Sequence, residues 1–226
     1  IYGGEGSDLI WGSLGADVIY GDDNGSYGTT SNDTIYAISG SDGSDYINGG
    51  QGVSDRVDYS AISNSYAINV TLNGSTNATV TISGGDNDTI VNIEDFIGGL
   101  GNDTIRGDNA DNYLSGSGGD DTLFGGSGND VLDDRTGINT FAGGAGNDTI
   151  IGTGNAANSW IDYSIDGINE GAYTDLSDTL AQHISNSRGN DVITAIDHMT
   201  GSNYADTFYG NANVNTIEGG AGNDRI

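Results

Sequence analysis

Gly98-Gly99-Leu100-Gly101-Asn102-Asp103-Thr104-Ile105-Arg106 is one clean copy of a nine-residue unit, glycine-glycine-x-glycine-x-aspartate-x-apolar-x. The same register reads at Gly3 to Trp11, Gly12 to Tyr20, Gly116 to Phe124, Gly125 to Asp133, Gly143 to Ile151, Gly201 to Tyr209 and Gly219 to Ile226. Its eighth position is apolar throughout: Ile10, Ile19, Ile105, Leu114, Leu123, Leu132, Phe141, Ile150, Phe208, Ile217 and Ile226. A period held this strictly marks a repeat architecture in which each short unit stacks on its neighbours to bury a shared core. Three residues make a strand too short to stand alone, so the apolar side chain turns inward and stacking is compulsory. The expected fold is all-β, a right-handed parallel β-roll with two units per coil, so that unit n lies beside unit n+2.

Each unit also carries chemistry. Glycines at the first, second and fourth positions permit a backbone that crowds carbonyl oxygens around a small volume, and the following Asp adds a carboxylate. Calcium takes six to eight such oxygens in irregular geometry, whereas magnesium demands a tighter octahedron and keeps its waters. Calcium is therefore the expected ion, in several copies. The side chains assigned to it are Asp8, Asp17, Asp33, Asp45, Asp103, Asn112, Asp121, Asp130, Asn139, Asp148, Asp206, Asn215 and Asp224. Backbone carbonyls of Gly3, Gly6, Gly12, Gly15, Gly98, Gly101, Gly107, Gly116, Gly119, Gly125, Gly128, Gly143, Gly146, Gly219 and Gly222 complete the expected ligand set. Asn112, Asn139 and Asn215 keep an oxygen but give up the charge, so their units are expected to bind weakly or not at all. Carboxylates in adjacent coils repel until a divalent ion sits between them, and a chain largely disordered without metal is the expectation.

Composition agrees. There are 33 Asp and Glu against five Arg and no Lys, and a formal charge of -28 disfavours nucleic acid and anionic membranes as partners. The acidic residues recur singly between glycines and do not form a tail. Cysteine is absent, which excludes a disulfide framework and zinc thiolate sites. No apolar run approaches the roughly 18 residues of a membrane span, so membrane insertion is not expected. His183 and His198 share no metal-binding spacing, and H-E-x-x-H, G-x-S-x-G and P-loop motifs are all missing. The adjacent Asp120 and Asp121 imitate a glycosidase pair, but their place in a turn assigns them to metal. The chain is not expected to be an enzyme.

Three repeat blocks, residues 1–58, 98–161 and 201–226, alternate with insertions at 59–97 and 162–200. The insertions are related: Arg56-Val57-Asp58-Tyr59-Ser60 returns 104 residues later as Trp160-Ile161-Asp162-Tyr163-Ser164, and Asp88-Thr89-Ile90 returns 103 residues later as Asp191-Val192-Ile193. Alternation in Tyr66 to Leu72 and Ala78 to Ile82 around Asn73-Gly74 predicts a β-hairpin. Leu176, Leu180 and Ile184, four apart, predict a short amphipathic helix in the second insertion. The first block looks less regular, with an extra loop at 26–31 and spare residues before Gly40 to Asn48. The sequence begins and ends inside repeats, so a piece of a longer protein is expected.

These units resemble the repeats-in-toxin (RTX) family, whose nonapeptides form a parallel β-roll in bacterial secreted proteins, and the likeness spans about two-thirds of the chain. The resemblance implies calcium in the turns, type I secretion and folding in calcium-rich medium outside the cell. The Val-Asp-Tyr-Ser endings and Ile-Glu-x-Phe re-entry look like joints of large RTX surface proteins. That favours a structural module of an adhesin or a surface layer, with self-association or cell-surface polysaccharide as further partners. The alternatives are the tail of an exported protease, lipase or epimerase, and a carbohydrate-binding module built on Trp11, Trp160 and the tyrosines.

Overall fold

The computed structural model describes residues 1–22, 31–37, 43–62, 66–153 and 159–226, and every regular element among them is a strand. The extra loop expected at 26–31 lies almost wholly outside the described residues, as do residues 38–42, which hold spare residues ahead of the Gly40 to Asn48 repeat and its first three positions. One face of the roll carries β1 (Tyr2–Gly4), β3 (Val18–Asp22), β5 (Tyr46–Asn48), β7 (Ile68–Thr71), β8 (Ala78–Ile82), β9 (Asp88–Val91), β11 (Thr104–Arg106), β13 (Thr122–Ser127), β15 (Thr140–Ala145), β17 (Trp160–Asp162), β21 (His198–Thr200) and β23 (Thr216–Glu218). The other carries β2 (Leu9–Trp11), β4 (Thr34–Tyr36), β6 (Arg56–Asp58), β10 (Asp95–Ile97), β12 (Tyr113–Ser115), β14 (Val131–Asp133), β16 (Thr149–Ile151), β19 (Gln182–Ser185) and β20 (Gly189–Thr194), while β18 (Tyr173–Asp175) and β22 (Thr207–Tyr209) form a separate two-stranded sheet.

Parallel pairing two units apart sets the register: Ile105 lies beside Leu123 and Leu123 beside Phe141, while Leu114 lies beside Leu132 and Leu132 beside Ile150. Because successive side chains alternate faces, the middle residue of each three-residue strand is buried and its neighbours look outward. Ile105, Leu114, Leu123, Leu132, Phe141 and Ile150 have no exposed surface, and they run in two facing rows that form the core. Ile217 is half-buried and Ile226 is 69% exposed.

Both insertions interrupt this winding with antiparallel strands. On the first face the strand order is β5-β9-β8-β7-β11, with β8 antiparallel to β7 and to β9. The expected hairpin is present, Ile68 opposite Ile82, and β9 extends it to a three-stranded meander. On the second face the order is β16-β20-β19, with β19 antiparallel to β20, and β18 pairs in parallel with β22. The side-chain amide of Gln182 joins β19 to β18 by accepting from Asp175 N at 2.7 Å and donating to Asp175 O at 2.9 Å. The helix expected across Asp175 to Ile184 is absent. Asp175 Oδ1 instead accepts from Ser177 N at 2.9 Å, an Asx turn that ends β18, and Leu180 is 73% exposed while Leu176 and Ile184 are buried. Arg188 locks this insertion: it is 1% exposed, and its Nε donates to Asp166 Oδ2 at 2.6 Å.

Candidate metal centre

The sixth-position side chains form two files, one along each edge of the roll, each linked by a repeated bond. The backbone N–H of Asp103 donates to Oδ1 of Asp121 (2.7 Å), and that of Asp121 to Oδ1 of Asn139 (2.9 Å). Along the other edge Asn112 donates to Asp130, Asp130 to Asp148, and Asp148 to Asp191, at 2.9, 2.9 and 3.0 Å. The first block repeats the pattern from Asp8 to Asp33 to Asp55 and from Asp17 to Asp45 to Asp88, and the last block from Asp206 to Asp224. One carboxylate oxygen per unit therefore belongs to the fold, and only Oδ2 is left for an ion. Asp55, Asp88 and Asp191 are members of these files that the glycine pattern overlooks. Their signal is the bare Asp-x-apolar ending, as in Asp55-Arg56-Val57.

What Oδ2 meets divides the units into two kinds. In one it caps its own turn: Asp17 accepts from Ser13 N, Asp103 from Gly99 N and Asp206 from Ser202 N, at 2.7, 2.8 and 2.9 Å. In the other, Oδ2 of Asp8, Asp33, Asp121, Asp130 and Asp148 is buried with no hydrogen-bond partner. In four of those five units the second residue has positive φ: Gly4 (110°), Ser117 (78°), Gly126 (113°) and Gly144 (99°). Rotating that peptide turns its N–H out of the turn and leaves the carboxylate facing carbonyls. The first-position carbonyl of the next coil is the one that arrives. A side chain at Gly125 would collide with both Asp130 Oδ2 and the Gly143 carbonyl, and one at Gly3 with the Gly21 carbonyl and Asp8 Oδ2. Carbonyls arrive at the other units too, Gly116 O beside the capped Asp103, Gly219 O beside the capped Asp206 and Gly125 O beside Asn112, and Gly101, Gly119, Gly128 and Gly146 present fourth-position carbonyls to the next coil. Nothing stands within 4 Å of a side chain built at Gly6 or Gly15.

The asparagines are committed otherwise. Asn112 Nδ2 donates to Glu94 O and Asn215 Nδ2 to Asp197 O, both at 2.9 Å, and Asn139 Nδ2 donates to Thr136 O at 2.8 Å. Their amides close the turn with hydrogen bonds where a cation would otherwise stand.

Buried carboxylates without a countercharge are costly, and the protein shows it. Desolvation is the first cause that pushes Asp130 and Asp191 up to about 8, Asp55 to about 7, and Asp103 and Asp148 to about 6. Asp121 and Asp134 are both raised, again chiefly by burial and further by facing each other in the case of Asp121. Among the described residues no three acidic or histidine side chains converge, so an ion here rests on one or two carboxylates plus turn carbonyls. That donor set, hard oxygens with negative charge that lacks a partner, fits calcium. His198 is no part of it: its Nδ1 accepts from Thr216 N at 2.8 Å and its ring lies against Trp160.

Comparison with protein families bears this out. The model described as RTX calcium-binding nonapeptide repeat (4 copies) matches residues 1–24, 26–53, 97–132, 133–156 and 194–226, and the chain belongs to that family. It is a calcium-binding module, taking several ions along its repeats, of a kind typical of secreted proteins. No curated protein matches the chain. Among the described residues no helix is long and apolar enough to cross a membrane.

Proposed function

We propose that the chain is a non-catalytic structural module of a bacterial cell-surface protein, an adhesin stalk or surface-layer subunit, exported by type I secretion and locked into shape by calcium. The observation that carries this reading is the joint: related insertions recur 103 residues apart, each adding antiparallel strands to the roll, β7-β8-β9 in the first and β19-β20 in the second, where β18 pairs apart with β22. Repetition of a joint suits lengthening, which stalks and lattices need and an enzyme's tail does not. The surface supports the same view. The open depression of about 520 Å³ beside the second insertion brings His183 near Glu170 and Ser185, but Glu170 is engaged by Ser187, whose Oγ donates to it at 3.0 Å. The aromatic rows do not favour a sugar platform. Tyr2 stacks on Tyr20 at 5.0 Å and 6°, and Trp11 on Tyr36 at 4.9 Å and 9°, which turns one face of each ring toward its neighbour in the row.

A calcium titration followed by circular dichroism and light scattering tests the proposal. The expected result is a cooperative gain of β-structure followed by a calcium-dependent rise in scattering. A chain equally β-structured in chelator would remove the metal lock. A parent protein carrying a catalytic domain ahead of the roll would favour the exported-enzyme reading instead.

A further inference from the structure

Asp134 departs furthest from the nine-residue pattern. It stands where the regular units have their first glycine, in the unit whose sixth position is Asn139. By sequence this is one of the weakest units of the array. Yet Asp134 is 1% exposed and its Oδ2 has no hydrogen-bond partner; the same is true of Asp121, also 1% exposed. The two oxygens converge over Gly116, where an added side chain would collide with both. In the neighbouring gaps the atom opposite the carboxylate is a carbonyl, as Gly143 O is for Asp130. Here the Asp134 carbonyl accepts from Asn139 Nδ2 at 3.4 Å, and the Asp134 carboxylate occupies the gap in its place. No cationic side chain neutralises the pair. Arg135, next in sequence, turns outward to Asp133, with bonds of 2.7 and 2.8 Å. Two buried carboxylate oxygens that face each other without a donor are stabilised only by a shared proton or by a cation.

We propose that Asp121 and Asp134 form a two-carboxylate calcium site, in which a side chain outside the repeat motif takes over from the turn carbonyl, and that this is the tightest site of the second block. Calcium affinity rises with the number of charged ligands, and this gap offers two where its neighbours offer one. Glycine at position 116 leaves the volume open. Asn139, which looks like a lost ligand, ties back the carbonyl that would compete for the same space. The proposal rests on the calcium-locked reading above but fails separately from it.

The test is isothermal titration of the whole chain with calcium alone, comparing wild type with Asp134→Asn and Asp134→Gly. Asp134→Asn is expected to weaken the tightest binding phase about tenfold or more while the other phases, and the circular dichroism at saturating calcium, stay unchanged. Asp134→Gly restores the motif residue and is expected to bind at this gap with the affinity of its one-carboxylate neighbours, which keeps the comparison informative if the asparagine variant folds poorly. An unaltered tightest phase in both variants would overturn the proposal. A wild-type chain that bound no calcium would instead fail the broader reading.

Discussion

Asn112 and Asn215 lie 103 residues apart and face the same problem. Each follows a re-entry at which two successive N–H groups donate to one carbonyl: Glu94 and Asp95 to Asp55 O, and Asp197 and His198 to Ser159 O. That leaves the carbonyl of Glu94 or Asp197 turned toward the next coil, where a carboxylate would meet it without a donor and an amide can donate. Asn112 is 2% exposed, so Asn112→Asp is expected to destabilise the calcium-loaded roll by about 2–3 kcal/mol. The reading is a lower urea midpoint at saturating calcium. A variant that gained both stability and an additional ion would show the asparagine to be a weakened ligand after all. The sequence marks the ligand slot, because the period of nine fixes it, but not the group that faces the slot, because an irregular joint sets that.

Buried carboxylates give a pH dependence of defined sign. Asp130 rises to about 8 and Asp148 to about 6, against about 4 for an aspartate in an unfolded chain. Between those values the metal-free roll holds more protons than the unfolded chain, so its stability is greatest at low pH and falls as pH rises through the window. In chelator, the β-signal in circular dichroism is therefore expected to weaken from about pH 5 to about pH 8. With calcium the trend reverses, since the ligands must be deprotonated to bind. A β-signal that strengthened with pH in chelator would contradict the burial of these groups.

The turn is the element in which binding is decided, through the direction of one peptide. Serine at position 13 or 202 keeps its N–H on the carboxylate, whereas Gly126 and Gly144 take positive φ and release it. Ser117 breaks this division, holding φ at 78° without glycine's freedom. A left-handed conformation costs a residue with a Cβ about 1–2 kcal/mol, so Ser117→Gly is expected to stabilise the roll by about 1 kcal/mol, offset in part by a more flexible unfolded chain. Urea unfolding at saturating calcium reads this; a loss of stability would mean that Ser117 makes a compensating contact. Strands were legible from the eighth-position spacing, and so was the hairpin from its alternation. The helix misreading at Leu176, Leu180 and Ile184 has a local cause: a spacing of four also fits a strand end, a turn and a second strand, and the Asx turn at Asp175 was the signal that decides between them.

Across the whole molecule, parity governs shape. A meander places three strands on one face where the other advances by one, an excess of two strand spacings, or roughly 10 Å. Left alone, such an excess bends the roll. From β7 to β17, counted from the start of one joint up to the start of the next, the described chain holds eleven strands, and because that number is odd the antiparallel pair β19-β20 of the second joint falls on the opposite face from β7-β8-β9. On opposite faces the two excesses are expected to offset each other, which would keep the coil axis straight across both joints. Deleting eighteen residues, Gly107 to Phe124, removes β12 and β13 and keeps the count odd. Deleting nine, Gly107 to Ser115, removes β12 alone and places both meanders on one face, with a combined excess of roughly 19 Å. Small-angle scattering in calcium is expected to show a shorter straight particle for the first deletion and a bent one for the second, each with a wild-type β-signal per residue. Indistinguishable shapes would mean that the meanders do not steer the axis, and the advantage of an odd module for building a straight stalk would disappear with it.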